Sequence, residues 1–99
     1  MESNKVTVVA RIKAKEGLDK RVKQELISLL APTRSEEGCI NYDLHQSVKD
    51  KSLFLFYENW KSEDALNRHL ENQPLKNFLR QVEELLAEPL DVTLWSKIG

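Results

Sequence analysis

The chain has 99 residues, 40% of them hydrophobic and 31% charged, the composition of one folded domain spanning residues 1–99 and not of a disordered chain. Fifteen basic side chains against sixteen acidic ones leave a formal charge of -1, which offers no broad attraction to nucleic acid or anionic lipid. No apolar run reaches membrane-spanning length, and the lone Cys39 excludes an internal disulfide and any Cys-x-x-Cys redox or zinc motif, so a reducing cytoplasm is the expected home.

Met1-Glu2-Ser3-Asn4-Lys5 runs straight into a strand pattern, without the basic and apolar regions of a secretory signal. From Lys5 to Ala14 the side chains alternate, with Val6, Val8, Ala10 and Ile12 on one face and Thr7, Val9, Arg11 and Lys13 on the other. Glu16-Gly17 ends this strand. Leu18, Val22, Leu26, Leu29 and Leu30 then recur at helical spacing, and the helix is expected to end near Pro32, with Thr33 to Gly38 as a kinked last turn and loop. Strands follow from Cys39 to about Ser47 and from Ser52 to Trp60, joined as a hairpin by Val48-Lys49-Asp50-Lys51. Ser62 is a good N-cap for a second helix whose face carries Ala65, Leu66, His69 and Leu70. Gln73-Pro74 interrupts it. The helix resumes through Leu75, Phe78, Leu79, Val82, Leu85 and Leu86, and a last strand runs from Leu90 to Ile98.

Strand, helix, strand, strand, broken helix, strand is the order of an α+β, ferredoxin-like split βαβ fold: one antiparallel sheet with helices on a single face. The other face would hold Val9, Leu53, Leu55, Tyr57 and Trp95, too apolar to stay wet, so a homodimer is expected to cover it.

Three segments in this order resemble the antibiotic-biosynthesis monooxygenase family: Arg34-Ser35-Glu36-Glu37-Gly38-Cys39-Ile40-Asn41-Tyr42, then Tyr57-Glu58-Asn59-Trp60, then His69 followed by Pro74 and Phe78. The likeness spans nearly the whole chain. It implies a dimeric α+β barrel and a small aromatic or metabolite ligand. The activities it implies range from oxidation of quinols or anthrones by O2 without metal or flavin to isomerisation of a signalling-molecule phosphate and haem degradation, and fold alone does not choose among them. Several positions depart from the family. Leu75 stands where many members have a second His. Trp60 and Arg80 match the anthrone-oxidising members, but Phe56 and Leu66 replace their Asn and Tyr. Ala10, His69 and Leu79 stand where haem-degrading relatives have Asn, Trp and a haem-ligating His, which disfavours haem.

His69 is the leading catalytic candidate, because it lies on an apolar helical stripe and has an ordinary pKa near neutrality. Its role would be a base that takes a proton from a phenolic or enolic hydroxyl; the alternative is a buried His satisfied by backbone or by Glu58. Glu58 and Trp60 share a strand face with Phe54 and Phe56, the expected floor of a pocket. Trp60 would stack on a planar substrate and Glu58 would orient His69 or hold a hydroxyl; otherwise Trp60 is core and Glu58 pairs with Arg or Lys. Arg34 and Arg80 are candidates for stabilising an oxyanion or a phosphate, with surface ion pairing as the alternative. Asn41 joins Phe54, Phe56, Arg34 and Arg80 as a substrate-binding candidate. Asp43 and His45 lack a third ligand for a metal, Cys39 reads as a small buried hydrophobe, and no Gly-rich phosphate loop is present, so neither metal nor cofactor is expected.

The expectation is therefore a cofactor-independent monooxygenase of a quinol or anthrone. The runner-up is an isomerase or other proton-transfer enzyme on a small phosphorylated metabolite, and the third reading is a non-catalytic protein that binds an apolar ligand.

Overall fold

Strict alternation along the first strand, β1 (Val6–Lys13), buries Val6, Val8, Ala10 and Ile12 and leaves Thr7, Val9, Arg11 and Lys13 half-buried on the opposite face. The computed structural model describes residues 4–99. Met1, Glu2 and Ser3, read as part of the run into this strand, lie outside the described residues. After β1 come α1 (Asp19–Ile27), α2 (Leu30–Arg34), β2 (Cys39–Gln46), β3 (Leu53–Trp60), α3 (Glu63–His69), α4 (Gln73–Leu79), α5 (Val82–Leu85) and β4 (Asp91–Trp95).

The strands form one sheet in the order β2-β3-β1-β4, with every neighbouring pair antiparallel. Each pair linked through helices, β1 with β2 and β3 with β4, is separated by an intervening strand. This is the ferredoxin-like split βαβ topology. Directly paired residues share a face, so Val8 opposite Glu58 and Leu94, Ala10 opposite Phe56 and Val92, and Tyr42 opposite Glu58 define the inner face. The helices supply Val22, Leu26, Leu66, Phe78 and Leu85, and the turn between α1 and α2 supplies Leu29, to the core beneath it. No helix among the described residues is long and apolar enough to cross a membrane.

Four boundaries differ from the sequence expectation. The first helix stops at Ile27 and restarts as α2, in which Pro32 occupies the first turn, where a missing amide hydrogen removes no intrahelical bond. The break before Pro74 lies at Leu70–Asn72, and Asn72 caps α4 by accepting the Leu75 amide at 2.7 Å. A further break at Arg80-Gln81 separates α5 from α4 inside an unbroken apolar stripe. The last strand is the edge β4, shorter than expected, and Val92 and Leu94 on its inner face stay about half exposed because no helix covers them.

On the outer face, Val9 pairs with Tyr57, Arg11 with Leu55, Lys13 with Leu53, and Thr7 with Trp95. The expected apolar residues thus share this face. Tyr57 and Trp95 are 43% and 57% exposed.

Candidate active site

Between the inner sheet face and the α3–α4 pair lies a cavity of about 200 Å³. Phe56, Leu66, Leu75 and Phe78 supply apolar wall, and Leu70, Leu79, Val92 and Leu94, each 39% to 52% exposed, form its mouth. Tyr42, Glu58 and His69 bring polar atoms to this wall, and all three are buried. Neither Lys nor Arg lines it.

His69 is placed by the start of its own helix. Ser62 accepts the Ala65 amide at 3.1 Å, Glu63 and Asp64 complement the positive end of the helix, and Leu66 and His69, three residues apart, then face the sheet. The imidazole packs 4.6 Å from the Trp60 ring and 5.4 Å from the Tyr42 ring, measured between centroids. Its Nδ1 lies 3.2 Å from Glu36 Oε1, and Nε2 has no hydrogen-bond partner among the described residues. The other Glu36 oxygen accepts from the Asn72 side-chain amide. Burial holds the His69 pKa below its ordinary value, and the Glu36 charge only partly opposes this.

Glu36 reaches His69 because the loop after α2 presses close on α3. Gly38 in that loop has φ +95°, and a Cβ there would meet Ala65 Cβ at 2.5 Å. Its carbonyl accepts the Lys61 amide at 2.9 Å, which ties the loop to the end of β3. Glycine is required here on both counts.

Glu58 is 4% exposed and accepts the Trp60 indole N–H at 2.9 Å. Burial pushes its carboxyl up to about 7, the Trp60 hydrogen bond opposing this rise and the Glu36 charge adding to it. Tyr42 stacks on Phe56 with centroids 4.4 Å apart, and its phenol is raised by burial and then by the Glu58 charge, so it stays protonated near neutrality. The cavity therefore holds a depressed imidazole and an elevated carboxyl, which near neutral pH can accept and donate a proton respectively.

The other sequence candidates fall in several places. Phe56 lines the cavity, whereas Phe54 and Trp60, on the same strand face, are buried outside its wall. Trp60 packs against His69 and donates its indole N–H to Glu58 from behind the wall. Glu58 neither orients His69 nor pairs with a cation; orientation falls to Glu36, inside the first family segment but not singled out there, and to Asn72, whose place just before Gln73-Pro74 is a readable capping signal. Asn41 points to the opposite face, where it bonds Asn59 at 2.9 Å, Asp43 at 3.1 Å and the Tyr57 carbonyl at 3.2 Å. Exposed Arg34 donates to the Tyr42 carbonyl at 3.1 Å and lies 3.8 Å from Asp43. Arg80, at the end of α4, donates to Asn77 at 3.1 Å. The structure does not bring Asn41, Arg34 or Arg80 to His69. His45 is exposed on the outer face, and Cys39 packs half-buried against the core.

The antibiotic biosynthesis monooxygenase family model matches residues 5–81. YcnE of Bacillus subtilis (strain 168), designated a candidate monooxygenase, is 36% identical over 88% of this chain and 92% of its own length. Rv0793 of Mycobacterium tuberculosis, with the same designation, is 36% identical over 90% of this chain and 87% of its own. The crystal structure of PA3566 from Pseudomonas aeruginosa superposes with a TM-score of 0.93 at 34% identity, covering 100% of this chain and 99% of that one. The chain belongs to the antibiotic biosynthesis monooxygenase family.

Proposed function

We propose that this protein is a monooxygenase that oxidises a small reduced aromatic of the quinol type with O2, using His69 as base and Glu58 as acid. The observation that carries the reading is that these two oppositely tuned groups line one apolar cavity without a cation. Family membership and the designations of YcnE and Rv0793 support oxygenation as the reaction type.

Cavity size favours a quinol over a three-ring anthrone. A dry apolar cavity of roughly 150 Å³ holds a benzene ring. The space of about 200 Å³ here suits one substituted ring, with any larger portion extending through the mouth. The runner-up substrate, a phosphorylated metabolite, fits poorly: its dianion would enter an apolar space beside Glu58 with no Arg or Lys to pair with it.

In the proposed reaction His69 takes the proton of a quinol hydroxyl, and the electron-rich anion passes one electron to O2. The resulting radical and superoxide join to form a carbon–oxygen bond, and Glu58 protonates the peroxide. Loss of the ring hydrogen with cleavage of the O–O bond then expels water. The sum is quinol plus O2 giving hydroxyquinone plus water, and the substrate supplies all four electrons, so the chemistry requires no metal or flavin. Oxygen uptake with one-ring and two-ring quinols, in the presence of a metal chelator, tests this. His69-dependent uptake that resists the chelator is expected. No uptake across the panel, or uptake unchanged in His69→Ala, overturns the reading, and ligand-induced thermal stabilisation without turnover would instead support a binding protein.

The open outer face supports a homodimer in which two sheets pack together, since Tyr57 and Trp95 otherwise stay in water.

A further inference from the structure

A base must present a lone pair, and a neutral imidazole has one on only one of its two nitrogens. Whether the nitrogen facing the cavity carries it is decided by what holds the other. Around His69 that decision can be traced to a group whose role is fixed, a backbone amide.

The Leu75 N–H can only donate, and it donates to Asn72 Oδ1 at 2.7 Å in the N-cap of α4. With its oxygen so engaged, the Asn72 side chain turns its NH2 outward, and that group can also only donate. It reaches Glu36 Oε2, which must therefore be an acceptor. The remaining Glu36 oxygen, Oε1, faces His69 Nδ1 at 3.2 Å. A carboxylate accepts through both of its oxygens, so the nitrogen of a neutral imidazole that faces it must donate, and the proton belongs on Nδ1. The backbone of His69 is held in the same unit, its carbonyl accepting the Asn72 amide at 3.0 Å.

We propose that Glu36 and Asn72 are positioning residues that lock neutral His69 in the Nδ1–H tautomer, so that Nε2 presents its lone pair to the cavity. The directed chain runs from the Leu75 amide through Asn72 and Glu36 to His69. It makes the first turn of α4 part of the base, and the same turn contributes Leu75 to the cavity wall. None of the three sequence-derived catalytic candidates supplies this orientation, because Glu58 is bonded to Trp60. Three groups that can carry charge or protons surround the imidazole: Glu36 from the loop before β2, Tyr42 from β2 and Glu58 from β3. Only Glu36 is hydrogen-bonded to it.

The inference deepens the proposed role of His69 as base, but its test does not depend on any substrate. The chain has two histidines, and His45 is exposed, so the imidazole nitrogens of ¹⁵N-histidine-labelled protein can be assigned with one His45→Gln control. At pH 8 the wild type is expected to show a protonated Nδ1 and an unprotonated Nε2 for His69. Glu36→Gln is the informative variant. Its amide oxygen must still accept from Asn72, which turns its NH2 toward Nδ1, so the tautomer inverts to Nε2–H at nearly constant shape. Asn72→Ser keeps the helix cap but removes the donor to Glu36, and is expected to leave His69 exchanging between both tautomers. An Nε2–H tautomer in the wild type, or an unchanged tautomer in folded Glu36→Gln, overturns the proposal. Where a quinol is turned over, Glu36→Gln should lower kcat at least 100-fold, the usual scale of general-base loss, with KM little changed. A correct tautomer with no oxygen uptake on any quinol would sink the monooxygenase reading while leaving the positioning chain intact.

Discussion

Glu58 and Trp60, two positions apart on the inner face of β3, are joined by a 2.9 Å hydrogen bond from the indole N–H to Oε1. This bond satisfies one oxygen of a buried carboxyl whose residue lies between Val8 and Tyr42 in the sheet register. It does not offset desolvation, because the Glu58 pKa still rises from 4.5 to about 7.

That rise makes Glu58 a pH-dependent cost to the fold. With a folded pKa above the unfolded one, its favourable contribution is complete below about pH 4.5 and is lost as pH climbs through about 7. The full cost is on the order of 3 kcal/mol, because each pH unit between the unfolded and folded pKa values corresponds to about 1.36 kcal/mol. Glu58→Gln keeps an acceptor for Trp60 and cannot ionise. Thermal melts are expected to show it several degrees more stable than wild type at pH 8.5 and nearly equal at pH 4.5. Equal melting temperatures at both pH values would mean that Glu58 is not desolvated as the fold implies.

His69 runs in the opposite sense. Its folded pKa lies below 6.5, so stability falls as pH drops from 6.5 through the folded value. For catalysis the two groups together require a bell-shaped profile: the base is competent only above its depressed pKa and the acid only below about 7. Initial rates of enzyme-dependent quinol oxidation, corrected for autoxidation, should fall as pH rises through about 7 and fall again at acid pH once His69 is protonated. Glu58→Gln should lower the rate and remove the alkaline limb. A wild-type rate that keeps climbing through pH 8 would exclude Glu58 as the acid.

Much of this geometry follows from periodicity that is visible in the sequence. The two-residue repeat of β1 and β3 assigns Val8, Phe56, Glu58 and Trp60 to one face, and the helical spacing of Leu66 and His69 turns both toward it. What periodicity does not encode is depth along a face. Phe54 and Trp60 share the face of Phe56 and Glu58, yet only the latter pair borders the cavity, because the helices that close the two ends are fixed by tertiary packing. Glu36 is less visible still: it is one acidic residue in a polar loop, 33 positions from the imidazole it holds. The α4–α5 break is hidden for another reason, since Leu75, Phe78, Val82 and Leu85 keep a helical spacing across the interruption at Arg80-Gln81.

Leu66 separates a binding role for the cavity from a purely structural void. It is 6% exposed and lines the cavity together with His69 and Phe56. Leu66→Trp fills the space at an overpacking cost of about 1–3 kcal/mol. Small quinols should raise the melting temperature of wild type in a concentration-dependent way, by about 2.7 kcal/mol of stability at 100 times Kd, and should not raise that of the variant. A variant that still responds would place the ligand elsewhere.

On the outer face, Tyr57 lies opposite Val9 and Asp43 near the middle of the sheet and is 43% exposed. Tyr57→Asp would put a desolvated charge at the centre of a sheet-on-sheet dimer. Sedimentation equilibrium is expected to show a wild-type dimer and a variant shifted toward monomer, with the helical content kept. A wild-type monomer at tens of micromolar would leave this face without a second copy.

Gly38 tests how the loop delivers Glu36. Its φ of +95° and the 2.5 Å approach to Ala65 that a Cβ would make both oppose Gly38→Ala. The backbone conformation alone costs about 1–3 kcal/mol in a residue with a side chain, and the contact adds to it, because Ala65 is buried on α3 and has little freedom to move. The relief available is for the loop to lift from α3, which lengthens the Glu36–His69 contact. Gly38→Ala should therefore lower the melting temperature and also loosen the His69 ring toward a mixture of tautomers. Ala65→Gly in the same chain removes the obstructing methyl and should restore the tautomer, while recovering only part of the stability because the backbone strain remains. Failure of the double variant to restore the tautomer would show that Glu36 is held by something other than the close approach of Gly38 to α3.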